Sequence, residues 1–288
     1  MSRSGVGPGP RYAKGYCGGN GFLIVLDPDN RLFLSEAAVR ALCDPYTGLG
    51  GDGVLRLVRT ARAGMPGRSR SEWFMDCRHR DGSQALMCDP GLGLAARYLT
   101  LAGLALPGRM WIGTRAGDQR AVVDSDGRAT MELPPPRLLG PSSASVDGHD
   151  LQGTAVSLGN LHLVCVLETP VAHVDLTRDL RMDLAPIPRV TGVIVPDVNL
   201  SLVNVLPDRS LRLRVHQPGV GEARSCGAAV CAAAAAVQHT AGEWGTTVVE
   251  SEPGPLSVTL EPNAPALLTG AAGIAAEGVL DARWLATL

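Results

Sequence analysis

Two cysteines, Cys88 and Cys226, each stand directly before a run of residues with helical character. The first amides of a helix point outwards without partners and carry partial positive charge, so a thiol there has a depressed pKa and can exist as thiolate. The same amides bind anions such as a carboxylate. Two such helix starts facing each other across a cleft would hold a carboxylate with one sulfur on either side of its α-carbon. One sulfur would remove a proton while the other delivers a new one to the opposite face, and the helix ends would stabilise the developing charge. That chemistry requires no cofactor.

The chain has seven cysteines, an odd and scattered set without a secretion signal, which reads as free thiols in a cytoplasmic protein and not as a disulfide framework. Cys17, Cys43, Cys77, Cys165 and Cys231 read as small buried hydrophobes. Cys77-Arg78-His79 has no second ligand pair at zinc spacing, so no metal is expected.

The elements that must position the two thiols are mostly strands. Gly21 to Leu26, Val54 to Thr60, Glu72 to Asp76, Met110 to Gly113, Ala121 to Asp124 and Ala129 to Leu133 read as strands of a first half. Pro134-Pro135-Pro136 cannot sit inside a sheet and marks a boundary. Leu161 to Glu168, Val198 to Val205, Ser210 to His216, Thr246 to Glu250 and Leu256 to Leu260 continue the pattern beyond it. In Ser210 to His216, Leu211, Leu213 and Val215 alternate with Arg212, Arg214 and His216, the signature of a half-buried strand. Ser35 before Glu36 opens a short helix to about Cys43. The helices after Cys88 and Cys226 are apolar around nearly their whole circumference and therefore belong inside cores. The expected fold class is α/β: two pseudo-symmetric domains, each a mixed or antiparallel sheet wrapped around a central buried helix. The halves span residues 1–133, with a loose tail over 1–13, and 134–275, with 276–288 returning to the first half.

A composition of 45% apolar and 19% charged residues with net charge -2 provides no electrostatic pull towards nucleic acid or anionic membrane. No apolar run approaches the roughly 20 residues of a membrane span. A small-molecule substrate is the partner this leaves. The histidines His149, His173, His216 and His239 have no motif context, and the basic run Arg59 to Arg70 reads as a solvated loop.

In order and spacing the chain resembles the diaminopimelate epimerase family. Lys14-Gly15-Tyr16-Cys17-Gly18-Gly19-Asn20-Gly21-Phe22 is similar to the family's K-M-H-G-L-G-N-D-F, and Gly48 to Gly53 to its G-I-G-A-D-G. Asp81 to Cys88 is similar to D-G-S-E-A-E-M-C, Val156 to His162 to V-S-M-G-N-P-H, and Gly219 to Gly227 to G-V-G-E-T-L-A-C-G. Asn199 stands where the N-V-E-F strand begins, and Leu268 to Ala272 is similar to the T-G-P-A turn. The resemblance implies that Cys88 and Cys226 are the two-base pair, that Asn20, Asn160 and Asn199 bind substrate, and that His162 lies in the active site. It is compatible with a homodimer.

The departures cluster in the cleft. The family's G-N-G after the first cysteine is Asp89-Pro90-Gly91, in which proline removes an amide donor and Asp89 is expected to cap its own helix. A protein carboxylate then stands where a substrate carboxylate would bind, and its charge raises the pKa of Cys88. The family's C-G-[TS]-G is Cys226-Gly227-Ala228-Ala229, its E-R is Gln217-Pro218, and the asparagine of N-A-D-G is His79. Losing several charged or polar partners argues against meso-diaminopimelate as substrate. The first reading is a cofactor-independent racemase or epimerase on another substrate, with Cys226 as thiolate and Cys88 as acid. The alternatives are a repurposed enzyme of the same fold performing an isomerisation or cyclisation in specialised metabolism, a genuine diaminopimelate epimerase, and a non-catalytic small-molecule-binding protein.

Overall fold

A computed structural model describes residues 9–64, 69–146, 149–176, 198–218, 221–250 and 254–288. Residues 1–8 of the expected tail, 65–68 of the basic run, the side chain of His149, and Gly219 and Val220 lie outside the described residues. The chain is α/β and mostly sheet with few helices. It divides into two units, one of residues 1–131 with 271–288 and one of residues 132–270.

In the first unit the strands are β1 (Arg11–Cys17), β2 (Asn20–Leu26), β3 (Gly53–Arg59), β4 (Trp73–His79), β5 (Gly108–Thr114), β6 (Gly117–Val123) and the start of β7 (Arg128–Leu133), whose last two residues belong to the second unit. β2 and β3 run parallel, while β3 and β4 run antiparallel, so Asn20, Gly53 and His79 share one edge. Helix α1 (Glu36–Cys43) is capped by Ser35, whose hydroxyl accepts from the Ala38 amide at 3.0 Å. It packs with Leu23, Val25 and Val54 on one face of the sheet. Helix α2 (Asp89–Leu101) packs against β1 to β6, and Leu92, Leu94, Ala95, Ala96 and Leu99 are among its buried residues. Burying a Leu side chain stabilises by roughly 1.5–3 kcal/mol, so this near-continuous apolar surface holds the helix in the core. The loose tail expected over residues 1–13 is corrected at its end: Arg11 to Ala13 belong to β1 and pair with β2 and with a C-terminal strand.

In the second unit the strands are β8 (Arg137–Val146), β9 (His149–Ser157), β10 (Leu161–Val166), β11 (Val198–Val205), β12 (Leu211–Gln217), β13 (Gly221–Ala223), β14 (Gly245–Glu250), β15 (Leu256–Leu260) and the start of β16 (Ala266–Val279), whose remainder pairs with β1. β10 and β11 run parallel and β11 and β12 antiparallel, which brings His162, Asn199 and Gln217 to one edge. Leu163, Cys165, Val198, Leu200 and Leu202 pack together on one face. Strand alternation sends His162, Asn199 and Ser201 to the other face. Helix α3 (Gly227–Ala241) packs across β9 to β12, β14 and β15, and ends at Gly242 in the left-handed conformation. A final short helix, α4 (Ala282–Leu285), is capped by Asp281. No helix among the described residues is long and apolar enough to cross a membrane.

Candidate functional site

Cys88 and Cys226 are the N-cap residues of α2 and α3, with nearly the same extended backbone: φ -151 and ψ 103 for Cys88, φ -146 and ψ 110 for Cys226. None of the seven cysteines forms a disulfide, and five are buried, whereas Cys88 and Cys226 keep part of their surface in solvent. In each unit the cysteine follows the same sequence of features: parallel strands starting at one edge, an antiparallel strand ending there, a short connection, then the helix.

In the first unit the edge is tied together through Asp52, whose amide donates to the Gly21 carbonyl at 2.7 Å and whose carboxylate accepts from the Gly21 amide at 2.8 Å. The Arg80 amide donates to the Asp52 carbonyl at 3.0 Å. These bonds bring the tip bearing Asn20 and the strand end bearing His79 into one network. Asn20 donates to the Gly18 carbonyl at 3.4 Å, and the His79 side chain is exposed. From His79 the chain doubles back: the His79 amide donates to the Ser83 carbonyl at 2.9 Å and the Ala85 amide to the Cys77 carbonyl at 3.1 Å. This return delivers Cys88 to the face of β3 and β4 that carries Leu55 and Cys77, which are paired across the strands.

The expectation that Asp89 caps its own helix is overturned. Cys88 holds the N-cap position and Asp89 is the first helical residue, because the extended backbone that a cap requires belongs to Cys88. The Asp89 carboxylate instead turns to its own backbone amide. Pro90 has no amide hydrogen, so the first two donors of α2 are one occupied and one absent. Although Asp89 keeps some exposure, the protein packed around it pushes its carboxyl up to about 6.

Cys77, read from the sequence as an inert buried thiol, is hydrogen-bonded to Cys88. This bond, followed by burial and the nearby Cys77 and Asp89 charges, holds the Cys88 thiol well above its ordinary range, while the Gly91 amide acts in the opposite sense. Cys88 is therefore a thiol at neutral pH, contrary to the depression that a bare helix start would produce. No spacing in the sequence signalled the Cys77 contact, because it depends on the turn between them.

In the second unit His162 and Asn199 are register partners on adjacent parallel strands. His162 is fully buried, its Nε2 lies 3.1 Å from Asn160 Oδ1, and its Nδ1 has no hydrogen-bond partner. Burial pushes the imidazole down to about 4, so it is neutral at physiological pH. Asn199 is buried and donates to the Leu161 carbonyl at 3.4 Å, whereas Asn160 is exposed on the turn before β10. Gln217 ends β12, where it pairs with Gly221. After Cys226, Gly227 and Ala228 begin α3 with their amides intact, and no acidic residue stands in its first turn. The two helix starts thus differ: the first turn of α3 has no acidic residue, and that of α2 carries Asp89 and Pro90.

A profile of the family described as diaminopimelate epimerase matches residues 12–139 and 154–274. The chain is 41% identical to the diaminopimelate epimerase of Thermobifida fusca, over 93% of this chain and 97% of that protein. It is 38% identical to that of Streptomyces coelicolor, over 95% and 96%. Among solved structures, a phenazine biosynthesis protein of the PhzF family from Bacillus anthracis superposes with TM-score 0.66 at 16% identity, covering 94% of this chain and 99% of that one. A hydroxyproline epimerase from Agrobacterium vitis superposes with TM-score 0.64 at 14% identity, covering 96% and 94%.

Proposed function

The chain belongs to the diaminopimelate epimerase family, and from that premise we propose that it is a cofactor-independent isomerase inverting a carbon centre by proton transfer between Cys226 and Cys88, on a substrate other than diaminopimelate. The observation that carries the two-cysteine reading is the pairing of positions: one partly exposed cysteine caps each buried helix, while the five others are buried. The thiol held by Cys77 makes Cys88 the proton donor of the resting form. Cys226 then acts as the base, and the Gly227 and Ala228 amides stabilise negative charge developing on the substrate. Neutral His162, buried with Asn199 on the same sheet face, orients that end of the site without adding charge.

The substrate reading rests on what replaces the family's donors. At α2 an anion meets the Asp89 carboxylate and the missing Pro90 amide, so a carboxylate is held from the α3 side alone. Gln217 with Pro218 offers no cation for a distal carboxylate, and His79 stands exposed at the strand end. The relatives' names favour a second reading, genuine diaminopimelate epimerase.

The test is α-hydrogen exchange in deuterium oxide with a panel of amino acids that includes diaminopimelate, for the parent and for Cys88→Ala and Cys226→Ala. Exchange that needs both cysteines, in a substrate other than diaminopimelate, is the expected result. Exchange confined to diaminopimelate selects the second reading. No exchange from folded, reduced protein removes the isomerase reading.

A further inference from the structure

His162, Asn199 and Ser201 of the second unit are buried on one face of its sheet, and two of them carry an atom without a partner. His162 is wholly enclosed, with its Nε2 3.1 Å from Asn160 Oδ1. A carbonyl oxygen only accepts, so in the neutral ring Nε2 carries the proton and Nδ1 is left as an unpaired acceptor. Ser201 is equally enclosed, and its hydroxyl is unpaired too. Its register neighbours are Val164 on β10 and Val215 on β12, whose side chains offer it nothing polar. A buried donor and a buried acceptor without partners are each unfavourable, and these two are complementary. Ser201 stands one strand across from His162 and two residues along, a diagonal of roughly 7–8 Å between backbones. The two atoms do not bond directly. One water making two hydrogen bonds of about 2.8 Å spans the gap that their side chains leave. Asn199, register partner of His162 and two residues before Ser201, is a third polar group around that point.

We propose that Ser201 is a positioning residue: its hydroxyl, through one buried water, holds His162 in the Nε2–H tautomer, and the ring in turn fixes the side chain of Asn160. With Oδ1 taken by the ring, Asn160 keeps its NH2 group free to face outward from the exposed turn before β10. The use of this relay rests on the reading that Asn160 meets the substrate. The relay itself lies within one unit and forms without substrate.

The test is ¹⁵N NMR of the full, reduced chain at neutral pH, where burial keeps the ring uncharged. It reads the two imidazole nitrogens of His162 and the side-chain NH2 of Asn160. The parent is expected to show the Nε2–H form, an Nδ1 shifted upfield of an unbonded imidazole nitrogen, and a cross-peak from a long-lived water to the ring Hε1. Ser201→Ala should move Nδ1 towards the unbonded position, remove the water cross-peak and broaden the Asn160 NH2 pair. Ser201→Thr keeps a hydroxyl and should retain all three parental signals. An Nδ1–H tautomer or an unbonded Nδ1 in the parent overturns the proposal without any variant. Nitrogens that stay in place in Ser201→Ala overturn it as well, whatever the variant does to stability. Deuterium exchange tests the isomerase reading separately. Exchange with an unbonded Nδ1 removes the relay alone, and an intact relay without exchange in any substrate removes the isomerase alone.

Discussion

The Arg115 guanidinium joins the buried Asp76 carboxylate to the return loop before Cys88: Nη2 donates to Asp76 Oδ1 at 2.6 Å, and Nη1 reaches the Ala85 carbonyl at 3.5 Å and the Cys77 carbonyl at 3.4 Å. Burial alone would raise the Asp76 carboxyl, but hydrogen bonds from Arg78 and Arg115 outweigh it and hold the group below the usual carboxylate range. The loop has no regular structure of its own between His79 and Cys88, so these bonds and the Ala116 amide on the Leu86 carbonyl fix where the thiol sits.

Arg115→Met should therefore loosen the loop while leaving Asp76 two arginines. Breaking a buried pair outright costs about 3–5 kcal/mol, and the remaining partners reduce this to roughly 1–3 kcal/mol. Amide hydrogen exchange should accelerate at Ala85 and Leu86 more than in β3, and Arg115→Lys should recover part of the protection. Uniform acceleration through the unit would mean that Arg115 stabilises the fold without positioning the loop.

Cys77→Val should lower the pKa of Cys88. The thiol–thiol hydrogen bond is the leading cause of the rise, and valine fills similar space without a polar atom. The check is the pH profile of iodoacetamide labelling, resolved by peptide mass spectrometry. The Cys88 midpoint should move to lower pH in the variant while Cys226 labelling keeps its profile. An unmoved Cys88 midpoint would assign the rise to burial.

Asp89 and His162 give opposite pH dependences of stability. With its carboxyl pushed up to about 6, Asp89 makes the native chain bind more protons than the unfolded one between about pH 4 and 6, so its contribution is lost as pH rises. With its imidazole pushed down to about 4, His162 makes the unfolded chain bind more between about pH 4 and 6.5, so its contribution is lost as pH falls. Each full shift corresponds to at most about 3 kcal/mol, so in one cooperative transition they largely offset. Asp89→Asn should stabilise the chain at neutral pH and unmask a stability that rises with pH, whereas His162→Gln should leave one that falls. Urea midpoints measured across this range check the signs, and parallel curves for all three proteins would remove both assignments.

The sequence showed the helix starts because Cys88 and Cys226 each precede residues apolar on almost every side, and it showed β12 because Leu211 and Val215 alternate with arginines. Local rules sufficed there. They failed where the deciding partner is distant. Arg11 to Ala13 lie beside a Gly- and Pro-rich tail and become a strand through pairing with β16, whose Ala- and Gly-rich sequence carries little strand propensity of its own. Asp89 has the residue type of a cap, but the turn places the extended backbone one residue earlier. Cys77 meets Cys88 because the Ala85 amide closes on the Cys77 carbonyl, a contact that no periodicity encodes.

Two glycines separate lack of space from backbone handedness. At Gly53 the backbone is ordinary, but an added Cβ would lie 2.4 Å from the Arg78 carbonyl oxygen, where β3 and β4 pair Gly53 with His79. At Gly242, after α3, nothing lies within 4 Å, but φ is +68. Gly53→Ala forces the strands apart and should cost about 1–3 kcal/mol or more, because the obstructing atom is backbone and cannot rotate away. Gly242→Ala should cost about 1–2 kcal/mol from left-handed strain alone, and Gly242→Asn less, since asparagine tolerates that conformation. Gly53→Ala should also shift the amide resonances of His79 and Arg80, because the displaced strand start carries the Asp52 link to Arg80. Gly242→Ala should leave those resonances in place. No loss of stability in Gly53→Ala, with no movement at His79, would show that the β3–β4 edge yields without cost, and would weaken the view that this edge is rigid.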